Sequence, residues 1–211
     1  SVVTNMNSDA DVTTTTTTRT FSFVHLTVYR SGGIEADDRN MILVDNCRFS
    51  SDRMGVGFGT RGGLYVEVKN SVYHGYAYGI VLENFVQNGN AKLHLITGNR
   101  FVNNAFGIQP RSSAIIEDNT FEYPSSHTQR MVSVGTDFDS TDLQFLIIQN
   151  NRFDRCQYDT IFLQSYFNYL NVVGNSFTNC FLSFEKPLFR LQPNFRSTIS
   201  IVNNLFENIT A

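Results

Sequence analysis

The chain has 211 residues, of which 41% are hydrophobic and 13% aromatic, with no tryptophan and a formal net charge of −3. So small a charge, without a basic run, argues against a nucleic-acid surface. No apolar stretch reaches the roughly 18 to 20 residues of a membrane-spanning helix, and no signal-peptide pattern opens the sequence.

Residues 1–20 stand apart in composition. Asn5, Asn7, Asp9 and Asp11 lead into an unbroken threonine run from Thr13 to Thr18. An extended N-terminal arm is expected here, with an added edge strand as the alternative. Residues 21–211 are then expected to form one elongated domain. Phe21 to Tyr29 alternates like an irregular first turn, and Ile34 opens a short strand after it.

From Ile42 onward a single phrase recurs. Its fullest form is Leu146-Ile147-Ile148-Gln149-Asn150-Asn151-Arg152-Phe153, and variants end on the aromatic anchors Phe49, Tyr73, Phe101, Phe121, Phe177 and Phe206. Anchor spacings of 24, 28, 20, 32, 24 and 29 residues mark a solenoid, in which each unit buries its apolar face against its neighbours. Five residues before each anchor stands Val44, Val68, Ile96, Ile116, Ile148, Val172 or Ile201. Seven before stands Ile42, Val66, His94, Ala114, Leu146, Leu170 or Ile199. That period of two predicts a leading strand with these residues inward. His94 is read as a core histidine with its polar atoms satisfied.

Between strand and anchor lie Asn46-Cys47, Asn70-Ser71, Gly98-Asn99, Asp118-Asn119, Asn150-Asn151, Gly174-Asn175 and Asn203-Asn204. Asn and Gly tolerate the left-handed backbone of a sharp corner, and stacked Asn side chains can hydrogen-bond as a ladder. About seven residues beyond each anchor a glycine-led strand is expected, at Gly55-Val56, Gly79-Ile80, Gly107-Ile108, Val132/Val134, Ile161/Leu163 and Leu182/Phe184. Gly55 to Gly63 lacks the Lys-Ser/Thr ending and following helix of a phosphate loop, so its glycines are assigned to a strand and corner. Cys156 and Cys180 each follow an anchor by three residues and should stack; half-buried thiols are the favoured reading, a bridge between coils the alternative.

Three short strands per coil and an Asn corner give an all-β, single-stranded parallel β-helix of about seven coils. The phrases LHLITGNRF, AIIEDNTF, LIIQNNRF, LNVVGNSF and ISIVNNLF resemble the right-handed, pectin-lyase-like β-helix superfamily over roughly residues 21–211. This resemblance implies the right-handed coil and a sugar groove along the glycine-led sheet. It also implies an extracellular or virion-surface setting, with polysaccharide lyases, hydrolases and tailspike-like proteins as fellow members. It does not single out one activity.

Extending the alternation gives an outward row of Asp37, Gly59, Glu83, Arg111, Gly135 and Gln164. With coils roughly 4.8 Å apart, Glu83 would neighbour Arg111 and lie about 9 to 10 Å from Asp137. Glu83, Arg111 and Asp137 are therefore the candidate catalytic group. Two carboxyl groups roughly 6.5 to 9.5 Å apart suit inverting hydrolysis. A lyase would instead use the arginine to take the C5 proton of a uronic acid. Calcium could neutralise that acid, with Asp37, Asp38, Asp137, Asp139 and Asp142 as ligands. Tyr76, Tyr78 and Tyr123 are candidates for stacking on sugars, with Gln164 beside them. An ordinary surface ion pair is the favoured account of Glu83 and Arg111, the catalytic group the alternative.

Long excursions are expected at Glu83 to Lys92, Glu122 to Arg130, Thr136 to Asp142 and Glu185 to Thr198. Leu43, Leu95, Ile115 and Ile147 form an outward apolar stripe that a loop or another chain should cover. The rival to a polysaccharide-binding protein is accordingly a structural or adhesive solenoid, as a homo-oligomer or a segment of a larger assembly.

Overall fold

A computed structural model of the chain describes residues 4–5, 41–51, 55–61, 65–83, 93–110, 113–123, 130–134, 145–156, 159–163, 168–182, 187–191 and 197–210. All regular structure among them is strand, arranged in three sheets around one core. The leading sheet stacks Met41–Asp45, Tyr65–Lys69, His94–Thr97, Ala114–Glu117, Phe145–Gln149, Tyr169–Val173 and Thr198–Val202, all parallel. The anchor sheet stacks Arg48–Ser50, Val72–His74, Arg100–Val102, Thr120–Glu122, Arg152–Asp154, Ser176–Thr178 and Leu205–Glu207. The glycine sheet holds Val56–Arg61, Tyr78–Glu83, Phe106–Pro110, Arg130–Val134, Ile161–Leu163 and Phe189–Leu191. The parallel solenoid read from the sequence is the fold of the chain.

Its inward file follows the expected pattern. Val44, Val68, Ile96, Ile116, Ile148 and Val172 are in register and fully buried. Beside them the anchors form one column of rings. Phe49, Tyr73, Phe101, Phe121, Phe153, Phe177 and Phe206 stack with centroids 4.7 to 5.2 Å apart and planes within 12°. The ring spacing is the strand spacing, so one geometry satisfies both the ladder of backbone bonds and the aromatic contacts.

The corner works by division of labour. Its first residue takes the left-handed backbone: Asn46, Asn70, Gly98, Asp118, Asn150, Gly174 and Asn203 all have φ between 51° and 66°. Its second residue turns its side chain into the molecule. The main-chain N–H groups of Ser71, Asn99, Asn119, Asn151 and Asn175 donate to Oδ1 of Asn99, Asn119, Asn151, Asn175 and Asn204 respectively, at 2.9 to 3.0 Å. Each of those five Asn side chains donates Nδ2 to a leading-strand carbonyl one coil back, at 2.8 to 2.9 Å. At the first corner Ser71 Oγ replaces the amide and accepts from the Cys47 N–H. Gly98 is confined for a second reason besides its φ, since a Cβ there would lie 2.8 Å from Asn70 Oδ1.

A second corner also uses left-handed backbone, two residues after the anchor, at Gly75, Asn103, Arg155, Asn179 and Asn208. Asn104 serves it as the ladder Asn serves the first, accepting from the Tyr76 N–H and donating to the Tyr73 carbonyl.

Several expectations are corrected. The glycine-sheet strand of the Phe177 coil is Phe189–Leu191, pairing Phe189 with Ile161 and Leu191 with Leu163, and not Leu182/Phe184. It lies inside the expected Glu185 to Thr198 excursion, because this coil needs twelve residues rather than seven to reach the third side. Phe184 lies outside the described residues. Cys156 and Cys180 are fully buried and joined by a disulfide, where free thiols were the favoured reading; Cys47 is free and buried. The outward stripe is interrupted by Glu67, which sits in register between Leu43 and Leu95, and all its members are half-buried. Of the N-terminal arm only Thr4–Asn5 is described, and it adds antiparallel to the edge of the leading sheet at Ile42 and Leu43.

His94 occupies the inward file at 1% exposure, and its Nδ1 accepts the Val66 N–H at 3.1 Å. Burial disfavours the imidazolium and lowers its pKa from 6.5 to about 4. Between those values the unfolded chain binds more protons than the folded one. Stability is therefore full above pH 6.5 and declines as pH falls, by about 3 kcal/mol near pH 4. Urea midpoints at pH 7.5 and 4.5 should differ by less in His94→Gln than in the parent; equal differences would contradict the assignment. In the ladder, Asn119→Leu strands the Asn99 N–H and the Ile96 carbonyl and is expected to cost about 3 kcal/mol in urea unfolding at neutral pH.

Candidate functional site

The candidate site lies on the outer side of the glycine sheet. That sheet owes its position to packing: a Cβ on Gly79 would sit 2.9 Å from the Phe101 ring and 2.5 Å from the Gly107 carbonyl oxygen. Glycine before the inward Ile80 thus lets the strand close onto the column of anchors, and the following residues alternate out and in. Ile80, Ile108 and Ile161 point inward in register with Val132. The next row, Gly59, Val81, Gln109, Ser133, Phe162 and Arg190, is in register along the axis. Its members Gly59, Val81, Gln109 and Phe162 are buried, so the middle of this face is not an open trough.

Chemistry gathers at its two borders. Where the strands enter, Tyr78 and Phe106 are in register and stack at 4.7 Å with planes 9° apart. Both are half-buried. Stacked along the axis, the two rings present edges rather than faces to a ligand lying across the coils. At the C-terminal end of the sheet, Arg190 Nε and Asp159 Oδ1 form an ion pair at 2.9 Å, and the guanidinium lies over the Phe162 ring at 5.9 Å. Asp159 is itself buried, in a left-handed conformation, with its N–H bonded to the Pro187 carbonyl.

The sequence-derived candidates divide. Glu83 ends its strand opposite Arg61, two residues beyond the row of Gly59, which the extrapolation had placed beside it. Arg111, Asp137 and Gln164 lie outside the described residues, as do Asp37, Asp38, Asp139 and Asp142. Among the described residues no three acidic, histidine or cysteine side chains gather as a metal site. Tyr78 is half-buried and lies outside the core cluster. Tyr76 and Tyr123 do not: they are 2% and 3% exposed and belong to the core. Tyr76 donates its hydroxyl to the Ser50 carbonyl at 3.1 Å, and burial pushes the Tyr123 phenol far above its ordinary pKa. Neither offers a ring to a sugar. Both lie in the segment joining anchor to glycine strand, where alternation lapses and inward residues carry no periodic mark.

Phe106 and the Asp159–Arg190 pair were not foreseen. The signal for Phe106 was legible, since Tyr78-Gly79-Ile80 and Phe106-Gly107-Ile108 are the same phrase in adjacent coils. Arg190 could not be found without the strand at Phe189–Leu191.

A family profile described as a right-handed β-helix region matches residues 6–127. The chain belongs to that family. The match runs through the first four anchors and agrees with the parallel stacking of all three sheets. No curated protein and no solved structure matches the chain. Membership supports a β-solenoid of a polysaccharide-related or structural kind, and among the described residues no helix is long and apolar enough to cross a membrane.

The two classes of tyrosine predict different behaviour. Tyr123→Ala should cost about 3 to 5 kcal/mol of stability through the cavity it leaves. Tyr78→Ala, at a half-buried site, should cost about 1 kcal/mol. Urea denaturation of both variants at neutral pH checks the order, and equal losses would contradict the placement.

Proposed function

We propose that this chain is an extracellular or virion-surface β-helix that binds acidic polysaccharide on the outer side of the glycine sheet, at the border where Tyr78 and Phe106 lie. The observation that carries the reading is the partly exposed Tyr78–Phe106 stack beside the strand that ends at Glu83. Ring edges and a tyrosine hydroxyl suit an extended sugar chain crossing successive coils, where contacts repeat at the coil spacing. The Cys156–Cys180 bridge supports an oxidising setting, since such bonds persist mainly outside the cytosol. Glu83, Arg111 and Asp137 are the groups to test for cleavage, by proton transfer from a carboxyl group or proton removal by the arginine. Gln164 is a further candidate for sugar contact, and calcium held by the Asp37/Asp38 or Asp137/Asp139/Asp142 acids is the cofactor to test.

A structural reading, as part of a homo-oligomer or larger assembly, is favoured by the partly exposed outward residues Leu43, Leu95, Ile115 and Ile147 of the leading sheet. A panel of acidic polysaccharides separates the two, with binding followed by calorimetry and cleavage by unsaturated product and by reducing ends. Binding weakened about tenfold in Tyr78→Ala, equivalent to roughly 1.4 kcal/mol of ring-edge and hydroxyl contact, supports the sugar reading. Absence of binding to every glycan would overturn it in favour of the structural one.

A further inference from the structure

The border marked by Tyr78 and Phe106 continues into a charged pair. Tyr78, Phe106 and Asp159 each precede an inward isoleucine by two residues, namely Ile80, Ile108 and Ile161. All three therefore stand where the chain enters the glycine sheet. The strands that follow Phe106 and Asp159 are two coils apart, a step of roughly 9 to 10 Å along the axis.

The Asp159 side chain is 9% exposed, and Arg190 Nε pairs with its Oδ1 at 2.9 Å. Arg190 is in register with Phe162 on the next strand, and its guanidinium lies 5.9 Å from the centre of that ring. Both contacts draw the group back over the preceding coil, so its placement is set by neighbours within the sheet. Its side chain still keeps 36% of its surface exposed. A surface arginine ordinarily loses rotamer freedom when it takes hold of a ligand. This one is already held, by a buried charge on one side and a ring on the other. The planar donors of a guanidinium match a carboxylate in geometry and charge, which no neutral sugar hydroxyl does. We propose that Arg190 is the group that recognises the acid, taking the carboxylate of a uronic acid two sugars along from the unit that lies against Phe106. An extended hexose chain advances by about one coil spacing per sugar, so a chain that follows the border reaches both contacts together. This deepens the polysaccharide reading and rests on it. Asp159 touches no sugar and is a positioning residue.

The test is calorimetry on the full chain with a short oligouronate and with the same oligosaccharide after its carboxyl groups are reduced to alcohols. In the parent, reduction should weaken binding by about tenfold or more, the worth of one charge-assisted contact. Arg190→Ala would strand a buried carboxylate, so the variant is the neutral double one, Asp159→Asn with Arg190→Gln, its urea midpoint measured alongside. It should lose the preference and bind the two sugars equally, whereas Tyr78→Ala should weaken both and keep the preference. A second measurement needs no variant: the oligouronate should protect Arg190 from an arginine-selective dicarbonyl reagent, read by peptide mass spectrometry, and the reduced sugar should not. Tyr78-dependent binding that ignores the carboxyl groups, a preference kept by the double variant, or Arg190 modified equally with and without oligouronate would overturn the role of Arg190 and leave the sugar site standing. Absence of binding to either sugar would overturn the sugar site and the role of Arg190 with it.

Discussion

The carboxamide at the corner is the interaction on which the other features rest. A solenoid must turn sharply once per lap, and the turn leaves main-chain amides inside the molecule that no strand can pair. Here an Asn from the next coil accepts that amide and returns a donor to a leading-strand carbonyl, so no corner is complete without its neighbour. An unpaired group of this kind would cost about 1 to 3 kcal/mol, comparable to a whole side-chain burial. The ladder therefore fixes the register of adjacent coils, and the aliphatic file and the column of anchor rings follow from that register.

Fixing the interior leaves the outside free to vary. The connection from anchor to glycine strand takes seven residues in the Phe101 coil, eight in the Phe153 coil and twelve in the Phe177 coil, while the inward rows stay in register. Outer-face chemistry is consequently local. One border carries stacked aromatic rings and the other a buried carboxylate paired with an arginine that also covers a phenyl ring. A bridge between Cys156 and Cys180 joins successive coils at the same place after the anchor, which adds a covalent tie where the chain is about to leave the regular pattern.

Much of this was legible in the sequence because the interior is periodic. Val44, Val68 and Ile148 could be assigned inward from alternation alone, and Asn99 or Asn151 could be assigned to a ladder from the demands of a tight bend. The site was less legible because it depends on positions with no period. Tyr76 and Tyr123 sit where alternation lapses, and a tyrosine in such a segment looks the same whether it faces solvent or the core. Gly59 was put in the row of Glu83, where Arg61 belongs, because a shift of two residues keeps parity, and parity is all that a hydrophobic pattern records. Leu182 and Phe184 made a plausible strand by composition, but the sheet is completed by Phe189–Leu191, whose place is set by pairing with Ile161–Leu163.

The central claim is that the corner amides are sealed by the side chain of the next coil. Hydrogen–deuterium exchange resolved to single amides tests it most directly. The account predicts that the N–H groups of Asn99, Asn119 and Asn151 exchange as slowly as those of the buried strands, and that Asn119→Leu makes the Asn99 N–H exchange far faster. Fast exchange of these amides in the parent, or an Asn99 N–H unchanged by Asn119→Leu, would contradict it.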